Sequence, residues 1–213
     1  ALDIAKKPLL KLAEGLAEMH PSLDIIALCV DFLSPFEIPL IGLNHLKRVA
    51  FFPGSSIGNF DPNQAKDFLR TIAQEVGPGG SLLIGVDMKK DVKLLHAAYN
   101  DSKGVTARFN KNILTRINRE CAGDFDLANF EHHAFYNEKA GRIEMHLLSR
   151  LDQTVHLGKI SIPLKKGETI HTENSYKYHR DEFQSLARES GWTPIQCWTD
   201  RDELMSLHYL ERR

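Results

Sequence analysis

Four places in this 213-residue sequence carry side chains that could do chemistry at the edge of a sheet. Asp3 follows Ala1-Leu2, and Asp31-Phe32 closes the apolar run 25–30. The loop Gly54-Ser55-Ser56-Ile57-Gly58-Asn59 follows Val49-Ala50-Phe51-Phe52 and Pro53, and Asp87 ends the run 81–86. An acid just after the second strand of a nucleotide-binding sheet can accept hydrogen bonds from both ribose hydroxyls, and Asp3 fits that role. Asp31 can meet the exocyclic amine of an adenine while Phe32 packs on the base. Two glycines at a strand end let the backbone approach a ligand closely. Each feature also has a plainer reading. An aspartate at a strand end forms turns and caps helices, and Gly-x-x-x-Gly can be a turn and nothing more. The loop has no lysine, so it is not a Walker loop.

Histidines are the other temptation: His132-His133, His146, His156 and His171. No His-Glu-x-x-His occurs, and no pair has an acid or cysteine at ligand spacing. Alternation in extended segments accounts for them, and no metal is expected. Cys29, Cys121 and Cys197 are widely spaced and odd in number, which reads as reduced thiols in a cytoplasmic protein. Trp192 and Trp198 read as core or edge packing.

The elements that must position these residues alternate along the first 90 positions. Residues 2–4 read as the tail of a strand. Residues 5–20 carry apolar side chains at helical spacing, with Pro8 in the first turn and Pro21 ending the helix. The continuous apolar run 25–30 reads as a strand covered on both faces, 49–52 as the next buried strand and 81–86 as another apolar strand. A proline-bearing loop separates the first two. Asp61-Pro62 supplies an N-cap and an N1 proline for a helix to about Val76, and Gly77-Pro78-Gly79-Gly80 turns the chain. This order predicts an α/β fold with a parallel sheet, whose ligand lies beyond the carboxyl ends of the strands. Asp3, Asp31, the Gly54 to Asn59 loop and Asp87 all fall there.

The second half changes character. Residues 91–99 and 106–121 read as helices. Residues 130–136, 142–150, 154–162 and 169–178 read as extended segments, with a hairpin turn at 137–141. A helix over 180–190 is closed by Gly191, and 192–198 with 205–210 form a closing antiparallel pair. Three regions follow: 1–90 as a nucleotide-cofactor domain, 91–178 as an α+β substrate lobe, and 179–213 as a return to the core.

Composition sets the outer limits. With 42% hydrophobic and 26% charged residues the chain is an ordinary globular protein. Its 27 basic and 28 acidic residues leave no basic excess for a nucleic-acid platform. No apolar run approaches the roughly 20 residues of a membrane span. The start, Ala1-Leu2-Asp3-Ile4, has no initiator Met and no secretory signal, and reads as a strand already ending in a piece of a longer protein.

A series of stretches then gives the sequence a specific resemblance. After Gly54-Ser55-Ser56-Ile57-Gly58-Asn59 come Ala98-Tyr99-Asn100-Asp101 and Gly104-Val105-Thr106-Ala107-Arg108-Phe109-Asn110-Lys111-Asn112-Ile113-Leu114. Asn118-Arg119-Glu120, Asp124-Phe125-Asp126, Phe130-Glu131-His132, Arg142-Ile143-Glu144-Met145 and Thr172-Glu173-Asn174-Ser175-Tyr176-Lys177 follow in order. Together they resemble the histidine-specific N-α-methyltransferases, the S-adenosylmethionine-dependent enzymes that open ergothioneine biosynthesis by trimethylating histidine. The resemblance covers nearly the whole chain. It implies a Rossmann-like class I methyltransferase sheet, with the α+β lobe binding substrate.

Carried across position by position, the resemblance makes Asp3 the ribose-binding acid and Asp31-Phe32 the adenine-binding pair. Asn59 resembles the residue that holds the substrate α-amino group, and Tyr99 the one that binds its carboxylate. Gly54 and Thr106 look like further contacts there. Glu173 and Ser175 resemble the pair that hydrogen-bonds the imidazole, and Met145 lines that pocket. Without the resemblance, Tyr99 reads as helix-end packing and Glu173 as a solvated acid. Methyl transfer from a sulfonium is an in-line displacement, so alignment is the main task, and such positioning can supply roughly 7–11 kcal/mol. No catalytic acid, base or metal is expected.

The family's glycine-rich loop, which would precede Asp3, and its amino-terminal helices are not in this sequence. S-adenosylmethionine is therefore expected to bind this chain alone weakly or not at all. Two other readings stay open: a methyltransferase for another amino acid, such as an indole one, and a non-catalytic remnant that binds a partner or small molecule.

Overall fold

The computed structural model describes residues 1–32, 34, 36, 38 and 47–213. In chain order the elements are β1 (Leu2–Asp3), α1 (Lys6–Met19), β2 (Leu28–Cys29), β3 (Val49–Phe52), a 3-10 turn (Ser56–Asn59), α2 (Pro62–Val76) and β4 (Ser81–Asp87). Next come α3 (Val92–Tyr99), α4 (Val105–Glu120), a second 3-10 turn (Leu127–Asn129), β5 (Phe130–Asn137), β6 (Arg142–Ser149), β7 (Gln153–Leu157), β8 (Ile160–Leu164) and β9 (Thr169–Tyr176). The chain closes with α5 (Arg180–Glu189), β10 (Thr193–Thr199) and β11 (Met205–Glu211). Most of the proline-bearing connection expected between Phe32 and Val49 lies outside the described residues.

Helix α2 begins where Asp61-Pro62 places it. The Asp61 carboxylate accepts from the backbone N–H of Asn63 and Gln64, both at 2.9 Å, and Gln64 Oε1 accepts from Asp61 N–H at 3.0 Å. Two of the donors a helix start leaves orphaned are thus satisfied. Ala65, Phe68, Leu69, Ile72, Ala73 and Val76 form its buried stripe. That stripe packs with Leu82, Ile84 and Val86 of β4, with Phe183, Leu186 and Ala187 of α5, and with Trp192. Removing each large side chain of this set from water contributes roughly 1.5–3 kcal/mol. Trp192 also donates its indole N–H to the Leu69 carbonyl at 2.9 Å, which satisfies its buried polar atom.

β3 and β4 are parallel, and β11 and β10 add antiparallel strands to give the order β10-β11-β4-β3. β1 and β2 form a separate parallel pair. The expected parallel pairings are present, but the sheet is not continuous: among the described residues, no ladder joins β1 or β2 to β3. The strand expected over residues 25–30 is ordered as a ladder only at Leu28–Cys29. Gly85, in the middle of β4, is required by a close approach. A Cβ there would lie 1.9 Å from the carbonyl oxygen of Pro53, the residue leading into the 54–59 loop.

The second sheet has the order β5-β6-β9, entirely antiparallel, with β7-β8 as a separate hairpin. The extended segment expected over 154–162 is two strands, not one. Gly158, at φ +56°, reverses the chain between them. Leu114 of α4 packs with Phe125, Phe130, Leu147, Val155 and Leu164 beneath the hairpin. Leu95 of α3 packs with Ala134, Ile143 and Met145 on the sheet. The two sheets meet at the exit of β9. Tyr178 N–H donates to the Asp87 carbonyl at 3.2 Å, and Lys89 N–H donates to the Tyr178 carbonyl at 3.1 Å. Among the described residues, no helix is long and apolar enough to cross a membrane.

Candidate active site

Side chains alternate along a strand, so Glu173, Ser175 and Lys177 lie on one face of β9 and its continuation, while Tyr176 and Tyr178 face the core against α2 and α5. In the register with β6, Met145 stands opposite Glu173, and Ile143 opposite Ser175. Helix α3 lies over this face, with Tyr99 packed on the cluster of Leu95, Ala134, Ile143 and Met145. The Tyr99 hydroxyl donates to Ser175 Oγ at 2.8 Å.

Lys177 is the residue that sequence reasoning missed. Its side chain is wholly inaccessible, at 0% exposure. A buried ammonium requires partners. Lys177 Nζ donates to Asp87 Oδ2 at 2.6 Å, to Ser175 Oγ at 2.7 Å and to Tyr99 Oη at 2.9 Å, and it lies 4.9 Å from the Tyr99 ring centroid. Asp87 also accepts from Lys90. Asp87, read as a strand-end acid, therefore serves the site by anchoring this lysine. A period-2 reading of Glu173-x-Ser175-x-Lys177 was the signal that could have found it.

Glu173 is different. It is half-buried, and its carboxylate makes no hydrogen bond or ion pair among the described residues. Burial raises its pKa above the ordinary carboxylate value, and the Lys177 charge partly opposes that. A desolvated acceptor without a partner is costly unless a ligand answers it.

The 54–59 loop is held against the same strand. A Cβ on Gly58 would meet the Tyr176 carbonyl oxygen at 2.7 Å and Ser175 Oγ at 3.5 Å, so the turn packs backbone to backbone on β9. A Cβ on Gly54 would meet nothing within 4 Å. Asn59 is exposed at the end of the turn, with no side-chain hydrogen bond among the described residues. Thr106, in the first turn of α4, is held by Asp101. That carboxylate accepts from the N–H groups of Val105 and Thr106 at 2.8 Å, and these bonds, Thr106's first, hold its pKa down to about 2. The Thr106 hydroxyl donates to the Ala98 carbonyl at 3.4 Å, beside Tyr99. Tyr99, Met145, Glu173 and Ser175 thus share one face, with the loop of Gly54 and Asn59 and the start of α4 adjoining the elements that form it.

Asp3, Asp31 and Phe32 lie elsewhere, at the carboxyl ends of β1 and β2. Asp3 Oδ1 accepts from Ala5 N–H at 2.7 Å, and Asp31 Oδ2 accepts from the Ser34 hydroxyl at 3.4 Å. The Phe32 ring packs edge-on against Phe52 and Phe68, with centroids 6.1 and 5.9 Å away. It is part of the aromatic border of the core.

One histidine grouping was not foreseen from spacing. Glu144, His146 and His171 converge across β6 and β9, with one ligand atom from each within 4.8 Å of the others. The His146 and His171 rings are stacked, with centroids 4.4 Å apart and planes at 13°. Ring-nitrogen lone pairs lie in the ring plane, so nearly parallel stacked rings do not aim at one ion. Glu144 Oε1 is already engaged by Arg142 at 2.7 Å and Asn137 at 2.9 Å. Burial pushes the Glu144 pKa up, but the bonds from Arg142, Asn137 and His146 outweigh it and hold it at about 2. The arrangement is a cross-strand polar network that ties β6 to β9.

Residues 1–212 match a protein family described as histidine-specific methyltransferase, SAM-dependent. The histidine N-alpha-methyltransferase of Mycolicibacterium smegmatis is 40% identical over 184 residues, covering 85% of this chain and 56% of that protein. The histidine N-alpha-methyltransferase of Mycobacterium tuberculosis is 37% identical over 201 residues, covering 93% of this chain and 61% of that protein. The chain thus spans a little over half the length of these relatives. Among solved structures, the CcbJ methyltransferase of Streptomyces caelestis superposes with a TM-score of 0.53 at 12% identity, covering 100% of this chain and 78% of that one. That likeness is one of fold alone.

Proposed function

The chain belongs to the family of histidine-specific, SAM-dependent methyltransferases, and from that premise we propose that it forms the substrate side of an enzyme that methylates the α-amino group of histidine, the step that opens ergothioneine biosynthesis. The observation that carries this reading is Glu173: a half-buried, unanswered acceptor two residues from Ser175 and opposite Met145. An imidazole placed between Glu173 and Ser175 meets one acceptor and one hydroxyl, with the Met145 side chain against its face. A site built on such partners discriminates strongly against side chains that lack them.

The other residues complete the alignment. Asn59 offers an amide oxygen to an amine hydrogen and so turns the nitrogen lone pair outward. Tyr99, its hydroxyl kept on Ser175, and Thr106 lie at the carboxylate end, while Gly54 leaves open space beside the amine. Asp3 and Asp31 stand at the carboxyl ends of a parallel pair, where sheets of this kind bind nucleotides. Their acceptor chemistry fits the ribose and adenine of S-adenosylmethionine, with Phe32 beside them. When bound, that cofactor supplies an electrophilic methyl group on a sulfonium. The protein's own contribution is positioning, which can be worth roughly 7–11 kcal/mol. A small amino acid as partner and a cytoplasmic setting belong to the same reading, and all three cysteines are free thiols.

The test is methyl transfer by the full-length protein to a panel of amino acids, with Glu173→Gln beside the wild type. Preference for histidine, and a loss of kcat/KM of at least 100-fold in the variant, are expected for a polar group answered only by substrate. Wild-type rates in Glu173→Gln overturn the assignment of Glu173. Preference for an indole amino acid overturns the substrate.

A further inference from the structure

We propose that Lys177 is a positioning residue that commits the Ser175 hydroxyl to donating, so that the ring bound at Glu173 and Ser175 must carry a hydrogen on one side and a bare lone pair on the other. This rests on the histidine reading above and deepens it from a substrate to a protonation state.

A hydroxyl has one proton and two lone pairs, and in isolation it rotates to donate or accept as its neighbour requires. Ser175 lacks that freedom. Lys177 Nζ donates to its oxygen at 2.7 Å and the Tyr99 hydroxyl donates to it at 2.8 Å, which uses both lone pairs. Only the proton of Ser175 is left for a ligand. Lys177 cannot release its share, because all three of its N–H groups are placed on Asp87, Ser175 and Tyr99 and its side chain is sealed from water. Asp87, itself fixed by Lys90, keeps the ammonium aimed.

Glu173, when ionised, only accepts. The bound ring therefore meets an acceptor and a donor. A neutral imidazole matches both with its N–H and its bare nitrogen. An imidazolium presents two N–H groups and sets one against the Ser175 proton. An indole has an N–H but no ring lone pair, which leaves the Ser175 proton unanswered, and unmade bonds of this kind are what polar sites reject. The charged and titratable groups facing this subsite are Glu173 and Lys177 from β9 and its exit, Asp87 and Lys90 from the end of β4, and Tyr99 from α3.

The experiment is nitrogen NMR of ring-labelled histidine bound to the full-length protein between pH 5.5 and 8, with S-adenosylhomocysteine present. The wild type is expected to hold the ring neutral, in one tautomer, over the whole range. Histidine affinity is expected to fall about tenfold per pH unit once the free ring protonates below about pH 6.5. In Lys177→Met, Ser175 recovers an acceptor lone pair. The bound ring then takes the imidazolium form at the acid end, and the pH slope is lost. An imidazolium signal in the wild type overturns the proposal and needs no variant to be folded. So does a Lys177→Met protein that binds more weakly by the same factor at every pH, since that is the signature of a structural role alone. Absence of histidine binding by the wild type is a separate outcome: it overturns the histidine reading and this proposal with it.

Discussion

Tyr99 and Ser175 are hydrogen-bonded at 2.8 Å although they are 76 positions apart, one ending a helix and the other near the end of a strand. The bond makes the expected carboxylate contact and the expected ring contact parts of one unit, with Lys177 beneath both. Tyr99→Phe keeps the ring over the lysine and deletes one acceptor of the buried ammonium. Losing a hydrogen bond to a buried charged group is expected to cost about 1.5–3 kcal/mol of stability, read by urea denaturation. KM for histidine is expected to rise about tenfold, the equivalent of about 1.4 kcal/mol. An unchanged KM alongside lost stability shows that Tyr99 supports the site without touching the substrate.

The two glycines of the 54–59 loop separate folding from binding. Gly58→Ala drives a methyl into the backbone of Tyr176. Overpacking of this kind is expected to cost about 1–3 kcal/mol and to lift the loop from β9. Gly54→Ala meets open space, so its stability is expected to stay within about 0.5 kcal/mol of wild type while substrate affinity falls. Thermal melts paired with histidine titrations of both variants check this. Equal affinity in Gly54→Ala and wild type removes Gly54 from the substrate contacts.

How far these relationships are legible in the sequence depends on their range. The start of α2 is legible because Asp61 caps the neighbouring N–H groups and Pro62 brings no N–H that needs a partner. The β7-β8 hairpin is harder to read, because apolar and polar residues alternate on both sides of it and only the Gly158-Lys159 pair, where the phase shifts and Gly158 takes a left-handed backbone, marks the reversal. The face shared by Met145, Glu173 and Ser175 follows from strand alternation once register is known, and register is a tertiary property. Lys177 shares the alternation of Glu173 and Ser175, but its burial is hard to read for a different reason. Lysine reads as solvated in any local window, and its partners Asp87 and Tyr99 come from two other elements. The same distance in sequence hid the stacking of His146 on His171.

His208 gives the fold an acid limit. It is fully buried in β11 against the Phe183 ring, with Nε2 bonded to the Ser206 hydroxyl at 2.9 Å. Burial first, and the nearby Arg180 charge second, lower its pKa from 6.5 to about 4. The unfolded chain therefore binds a proton that the folded one refuses between those values. Stability is undiminished above pH 6.5, falls as pH drops, and has lost roughly 3 kcal/mol by about pH 4 from this group. Urea denaturation at pH 7 and pH 4.5 is expected to show a smaller acid loss in His208→Leu than in wild type. Equal losses assign the acid sensitivity to other groups.

The backbone bonds that pair Tyr178 with Asp87 and Lys89 act as a rivet between two plates. They join the strand that carries the ring-binding residues to the strand that ends at the lysine's anchor through main-chain atoms, beside the Lys177–Asp87 ion pair. The part of the spacing that these main-chain bonds set does not itself depend on the side chains at those positions. Sequence drift across the lobe, or a longer β7-β8 hairpin at its far rim, leaves the gauge of the site intact. A change that alters the path of the backbone between Tyr176 and Tyr178 does not.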